Sequence, residues 1–113
     1  MVLAAAATTL VLTPAANAAC RTIRFQPGAS SAEIRGEAPA EGTECLRFGT
    51  GQGQTVQLSV KSPRDQVAFT TDGLVDNRDK YTFVSEKKNY DLLMHQAFKA
   101  VAPVKYVLTL SIR

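Results

Sequence analysis

The 113-residue chain has no tryptophan, a single histidine, His95, and only two cysteines, which are not arranged as Cys-x-x-Cys. The lack of tryptophan argues against a carbohydrate-binding platform built of aromatic rings. One histidine and one cysteine pair leave too few ligands for a zinc site. The missing Cys-x-x-Cys spacing argues against thiol redox chemistry. We therefore expect neither a metal nor a cofactor.

The chain also lacks any long run of one charge. It carries 13 basic and 10 acidic residues, a net charge of +3, and its densest charge cluster is Glu86-Lys87-Lys88. Dispersed charges of this kind are typical of solvated strand faces and loop tips. Without a basic run or an aromatic stacking motif, nucleic acid is not an expected partner.

Residues 1–18 resemble a signal peptide. They carry no charge, are rich in Ala, Leu, Val and Thr, and end in the small-x-small site Ala16-Asn17-Ala18. Cleavage before Ala19 would leave residues 19–113, which we expect to form one domain in the periplasm or outside the cell. Because no basic residue precedes Arg21, the natural start is expected upstream of Met1.

An apolar element buried in the fold is one alternative to a signal peptide, and two more apply to this leader. It is short and contains Pro14, so a membrane span is not predicted. A lipoprotein anchored at Cys20 is the other alternative, but Asn17 stands where a lipid-modification signal normally has leucine.

The two cysteines are expected to form one disulfide in an exported protein, Cys20 to Cys45. Closing a loop of roughly 25 residues would stabilise the fold by about 3–4 kcal/mol. The sequence leaves open whether the bond forms within one chain or between two, and it leaves the oligomeric state open.

Alternation of apolar and polar residues dominates the remaining sequence and predicts about eight short strands. Regular short strands between Gly, Pro, Asn and Asp turns predict an all-β fold, a small antiparallel β-sandwich of jelly-roll type. The predicted strands cover 22–25, 32–36, 46–48, 56–60, 67–69, 81–84, 90–94 and 106–112. The predicted inward residues are Ile23, Phe25, Ile34, Leu46, Phe48, Val56, Leu58, Val60, Val67, Phe69, Phe83, Tyr90, Leu92, Met94, Tyr106, Leu108, Leu110 and Ile112.

No catalytic residue is predicted, so we do not expect an enzyme. Side chains alternate between the two faces of a strand, and this alternation places His95 on the exposed face. Asp91 lies about 13 Å away along the same strand, too far to orient the imidazole. The acidic segment 72–79, with Asp72, Asp76 and Asp79, is interpreted as a solvated turn, with a weak calcium site as the alternative.

The segment 96–104 is predicted to be the loop before the last strand. It is largely apolar, with Phe98 beside the single basic residue Lys99. An exposed apolar loop on a small sandwich is suited to insertion into a partner. The alternative is a loop that packs back onto its own domain.

Three segments carry a family resemblance: 23–36, from Ile-Arg-Phe-Gln-Pro-Gly to Gly36; 48–60, with Gly53-Gln54 before an alternating strand; and 106–112. Together they resemble the bacterial pre-peptidase C-terminal domains, a group that includes periplasmic inhibitors of g-type lysozyme. The resemblance implies a jelly-roll-like sandwich, export, no catalysis and a protein or glycan partner. Where relatives tend to carry an arginine-rich loop before the final strand, this chain has Phe98 and Lys99.

The resemblance suggests two functions. One is inhibition of a lysozyme-type muramidase by loop insertion, with Phe98, Lys99 and His95 at the contact. Lysozyme grooves hold carboxylates, so a cationic loop would gain charge complementarity there. The other is a stand-alone module that binds an envelope polysaccharide or another protein.

Overall fold

The computed structural model describes residues 19–113; the predicted signal peptide, 1–18, lies outside the described residues. Within 19–113, no helix has the length and apolar character needed to cross a membrane. These residues form nine β-strands and one 3₁₀ turn, Pro63–Asp65. The strands are β1 Arg21–Thr22, β2 Ser31–Ala38, β3 Glu44–Thr50, β4 Thr55–Lys61, β5 Val67–Thr71, β6 Val75–Arg78, β7 Lys80–Val84, β8 Lys88–Gln96 and β9 Val104–Ile112.

The strands form two sheets packed face to face. One sheet has the order β1-β3-β8-β5-β6 and the other the order β2-β9-β4-β7. Every pairing is antiparallel except that of β1 with β3. The predicted all-β sandwich is therefore confirmed.

A single apolar core lies between the sheets, and the alternation of the sequence explains it. In β4 the burial pattern alternates along Thr55–Lys61, so that Val56, Leu58 and Val60 face inward. Every residue of the predicted inward set is either buried or packed against this core. Phe25, Ile34, Phe83 and Ile112 are the members that remain partly exposed.

Two strand predictions need correction. The first strand is only Arg21–Thr22, although Ile23 adds one further bond from its amide to the Arg47 carbonyl at 2.8 Å. The acidic segment is not simply a turn, because Val75–Arg78 forms an additional strand, β6, paired with β5 across a bulge. Gly73, at φ 78°, allows the tight turn that joins the two strands.

The sheets are also joined by a polar contact. Tyr106 on β9 donates a hydrogen bond from its hydroxyl to Oε1 of Glu44 on β3, and Arg21 approaches the other oxygen of Glu44 at 3.3 Å. Gly36 makes room for this group, because a Cβ there would lie 2.5 Å from the Tyr106 hydroxyl. Burial first, and the bond to Glu44 second, raise the pKa of Tyr106.

Cys20 and Cys45 form the predicted disulfide, with an S–S distance of 2.06 Å and a Cα–Cα distance of 4.6 Å. The bond lies within one chain and joins the start of β1 to β3. It therefore fixes the short β1 segment against the sheet.

Candidate functional site

Three connections meet at one end of the sandwich: 39–43 between β2 and β3, 62–66 between β4 and β5, and 97–103 between β8 and β9. Hydrogen bonds show that they lie together. The Ala97 amide donates to the Gln66 carbonyl at 2.6 Å, and the Gln96 side chain reaches the Ala38 carbonyl at 3.2 Å. We call the segment 97–103 the β8–β9 loop.

Gln96 holds the base of the β8–β9 loop. Its Nε2 donates to the carbonyls of Ala38 and Ala102, at 3.2 and 3.0 Å, and its Oε1 accepts from the Ala100 amide at 2.7 Å. One amide side chain thus satisfies backbone groups at two points of the loop and at the end of β2. The loop conformation is therefore already ordered in the free protein, and this preorganisation lowers the entropy cost of binding.

The tip of this loop is apolar and exposed. Phe98 has 63% of its surface accessible and Val101 is fully accessible. Several large apolar side chains exposed on one short loop are typical of an interaction surface, whereas a single one is not. The sequence singled out Phe98 but not Val101, which follows it by three residues.

Lys99 and His95 share a cleft beside the loop. The cleft has a volume of about 360 Å³ and is also lined by residues of the 39–43 connection, including Glu41. Lys99 is exposed and His95 is half-buried. The structure therefore places Phe98, Lys99 and His95 at one end of the sandwich, with the first two on the loop and the third on β8.

His95 is less exposed than its position in the strand suggested, because it contacts a neighbouring strand. Its Nε2 lies 2.9 Å from the Thr70 hydroxyl, and that hydroxyl bonds to Asp76 at 3.1 Å. The Nδ1 of the same ring lies 3.4 Å from the Gln96 carbonyl, so the donor and acceptor roles of the two ring nitrogens depend on the tautomer. The Thr70 hydroxyl also accepts from the Asn77 amide at 3.0 Å.

A second, cationic cleft lies beside the same end, on the outer face of the sheet containing β9. It has a volume of about 430 Å³ and is lined by Arg35, Lys61 and Lys105 with no acidic residue. Arg35 and Lys61 both pair with Val107 and therefore share a face. The sequence did not single out these three residues, because they are brought together from three separate strands.

Among residues 19–113, the carboxylates of Asp72, Asp76 and Asp79 do not gather into one group of candidate ligands. Cys20, Cys45 and Asp91 do approach one another, within 4.8 Å, but both sulfurs are used in the disulfide. Asp91 instead pairs with Arg47 at 2.7 and 3.1 Å, and this bond lowers the pKa of Asp91.

Comparison with solved structures identifies the architecture. A periplasmic inhibitor of g-type lysozyme from Aeromonas hydrophila superposes with a TM-score of 0.65 at 18% identity, over 83% of this chain and 96% of the inhibitor. The chain has the fold of these lysozyme inhibitors. The inhibitor of g-type lysozyme from Salmonella Typhimurium gives a TM-score of 0.61 at 21% identity, over 81% of this chain and 96% of that one.

A pre-peptidase C-terminal domain of a Bacillus anthracis collagenase shares the fold as well. It superposes with a TM-score of 0.54 at 14% identity, over 86% of this chain and 99% of the domain. Both groups named by the sequence resemblance are thus structural neighbours. No family model matches the chain, and no curated protein sequence matches it.

Proposed function

We propose that this protein is an exported, non-catalytic inhibitor of a lysozyme-type muramidase and that it binds through the β8–β9 loop. The observation that carries the proposal is the loop itself, an exposed apolar tip on a base held by three hydrogen bonds of Gln96. The fold shared with g-type lysozyme inhibitors supports the choice of partner. The disulfide and the leader pattern support a periplasmic or secreted single domain of residues 19–113.

The loop offers the contacts that insertion into an enzyme groove requires. Phe98 and Val101 would lose their accessible apolar surface to the groove wall, and burying such a side chain is worth roughly 1.5–3 kcal/mol. Lys99 would lie near groove carboxylates. Lys61 and Lys105 of the cationic cleft extend the positive surface next to the loop, whereas Arg35 is paired with Glu33 at 3.8 Å. The two lysines favour association with an acidic groove.

The test is inhibition of purified g-type, chicken-type and invertebrate-type lysozymes by the exported, oxidised protein. We expect one type to be inhibited at a stoichiometric dose. The double replacement Phe98→Ala with Lys99→Ala should then weaken inhibition by about tenfold or more, since it removes a buried ring and a charge contact.

Val84→Ala is the matched control. Val84 is 70% exposed on β7, away from the loop, so its loss should leave inhibition unchanged. Inhibition that the loop variant leaves intact would remove the loop from the contact. Failure to inhibit any of the three types would overturn the proposal and favour a binding module with another target.

A further inference from the structure

We propose that the opposite end of the sandwich carries a second site, which binds a saccharide bearing carboxylate groups. The site is a cleft of about 640 Å³ between the 50–54 connection and the 85–89 segment. Clefts of this size, roughly 300–1,000 Å³, are typical of sites for small ligands. Its lining combines Phe25, Thr50 and Gln54 with Lys87, Lys88 and Asn89.

The walls of this cleft are fixed by hydrogen bonds that do not use its lysine side chains. The buried Ser85 hydroxyl donates to the Gly51 carbonyl at 2.7 Å and accepts from the Gln54 amide at 3.2 Å. Thr50 donates to the Glu86 carbonyl at 2.6 Å. The two wall segments are thus bonded to each other, and a ligand would not have to order them.

The charge of the cleft has one sign. Lys87 and Lys88 line it and no aspartate or glutamate does. Neither lysine belongs to an ion pair found among residues 19–113. The Lys88 ammonium lies 5.0 Å from the centre of the Tyr90 ring, a cation–π contact on the side of a neighbouring cleft that Lys88 also borders and that Asp72 and Asp91 line. Two unneutralised ammonium groups favour an anionic ligand.

The remaining groups favour a sugar over a simple anion. Phe25 is half-buried at the edge of the core, and its exposed part would pack against an apolar face of a pyranose ring. Asn89 is exposed, and its side-chain amide can both donate and accept hydrogen bonds. A ligand with hydroxyls, one apolar face and carboxylates matches this set. The shared chemistry has two sources: a uronate polysaccharide, or a wall fragment containing muramic acid.

This site goes beyond lysozyme inhibition and does not depend on it. The cleft lies at the start of β8 and the β8–β9 loop follows its end, and the nine-residue strand separates them by about 26 Å. A bound saccharide would therefore leave the loop free. The protein could be held on a carboxylated glycan while it engages a second partner.

The experiment is a titration of the exported protein with three defined saccharides, in which binding is measured by calorimetry and by the NMR chemical shifts of the cleft residues. The saccharides are a trigalacturonate, a muramic-acid disaccharide and the neutral trisaccharide of N-acetylglucosamine. We expect at least one acidic saccharide to shift the signals of Lys87 to Asn89, and the neutral one to shift none. Which acidic probe binds distinguishes the two sources.

The variant Lys87→Gln with Lys88→Gln should weaken that binding by about tenfold or more, because charged hydrogen bonds are among the strong ones. Lys61→Gln with Lys105→Gln changes the net charge equally in the other cleft and should bind like the parent. Equal loss in both variants, equal binding of the neutral sugar, or no binding of either acidic saccharide would overturn the proposal. Lysozyme inhibition by the Lys87/Lys88 variant should be unchanged, which separates this result from the proposed function.

Discussion

Tyr106 and Glu44 face each other across the interior of the sandwich, and the hydroxyl of the tyrosine donates to the carboxylate of the glutamate. The two residues belong to different sheets, so this bond sets the distance between the sheets at one point. It depends on Gly36, the partner of Tyr106 in the strand pairing, because only a residue without a Cβ leaves space for the hydroxyl.

Gly36→Ala should therefore destabilise the protein by about 1–3 kcal/mol, the usual cost of overpacking. The added Cβ would lie 2.5 Å from the Tyr106 hydroxyl and 2.6 Å from Glu44 Oε1. Gly49→Ala is the control, since the added methyl group would meet only the end of the flexible Asn89 side chain. Urea denaturation measures both variants. Equal stability of the two would show that the Tyr106–Glu44 contact tolerates a shift.

Loss of the disulfide should cost about 3–4 kcal/mol, because the bond closes a loop of roughly 25 residues in the unfolded chain. The measurement compares the parent with Cys20→Ala plus Cys45→Ala by denaturant unfolding, with and without reductant. Reductant should lower the stability of the parent only. A parent that is insensitive to complete reduction, verified by thiol counting, would contradict the expectation.

The Arg47–Asp91 pair should make stability depend on acid pH. The pKa of Asp91 is held below its ordinary 3.8, chiefly by the hydrogen bond from Arg47. The folded state therefore gains stability above that ordinary value and loses it as the pH falls through the lowered pKa of Asp91. Asp91→Asn should lower the Tm by a few degrees at pH 7 and converge with the parent in strong acid. Both side chains are nearly half exposed, so salt should also reduce the difference.

Glu41→Gln is the matched control for the acid titration. It removes one negative charge from an exposed residue that belongs to no ion pair found within 19–113. Its Tm should follow that of the parent at every pH. A Tm difference for Asp91→Asn that persists unchanged in strong acid would contradict the role of the ion pair.

Gln96→Ala should loosen the β8–β9 loop without unfolding the sandwich. Amide exchange of residues 97–103 should accelerate severalfold, because three hydrogen bonds to the backbone are lost. Gln66→Ala is the comparison. Gln66 contacts the loop through its backbone carbonyl, which the substitution keeps. If exchange accelerates equally in both variants, the Gln96 side chain does not hold the loop.

Much of the fold follows from local pattern. The inward set could be assigned because period-two alternation leaves one choice of face for residues such as Leu58 and Leu108. The strand Val75–Arg78 was missed because only Val75 is apolar, and its pairing with β5 at the sheet edge depends on backbone bonds rather than composition. The sequence predicts a first strand that extends to Phe25, because Phe25 continues the alternation, whereas the strand in the structure ends at Thr22.

Less of the candidate site could be predicted from the sequence. Phe98 and Lys99 could be noticed as a local pair, but the role of Gln96 depends on Ala38, 58 residues away. His95 was expected on an open face, and Thr70 from the adjacent strand covers part of it. The same applies to the cationic cleft of Arg35, Lys61 and Lys105, since only the pairing of three strands brings these charges together.

The parallel pairing of β1 with β3 has one further consequence. Strand β3 would otherwise end its sheet with unpaired backbone groups, an edge on which a strand of another molecule could add. β1 covers the part of that edge from Leu46 to Arg47, and the bond from Cys20 to Cys45 keeps it in place. In the oxidised molecule this part of the edge is therefore shielded from neighbouring chains, and the disulfide is the covalent link that holds the shielding strand there.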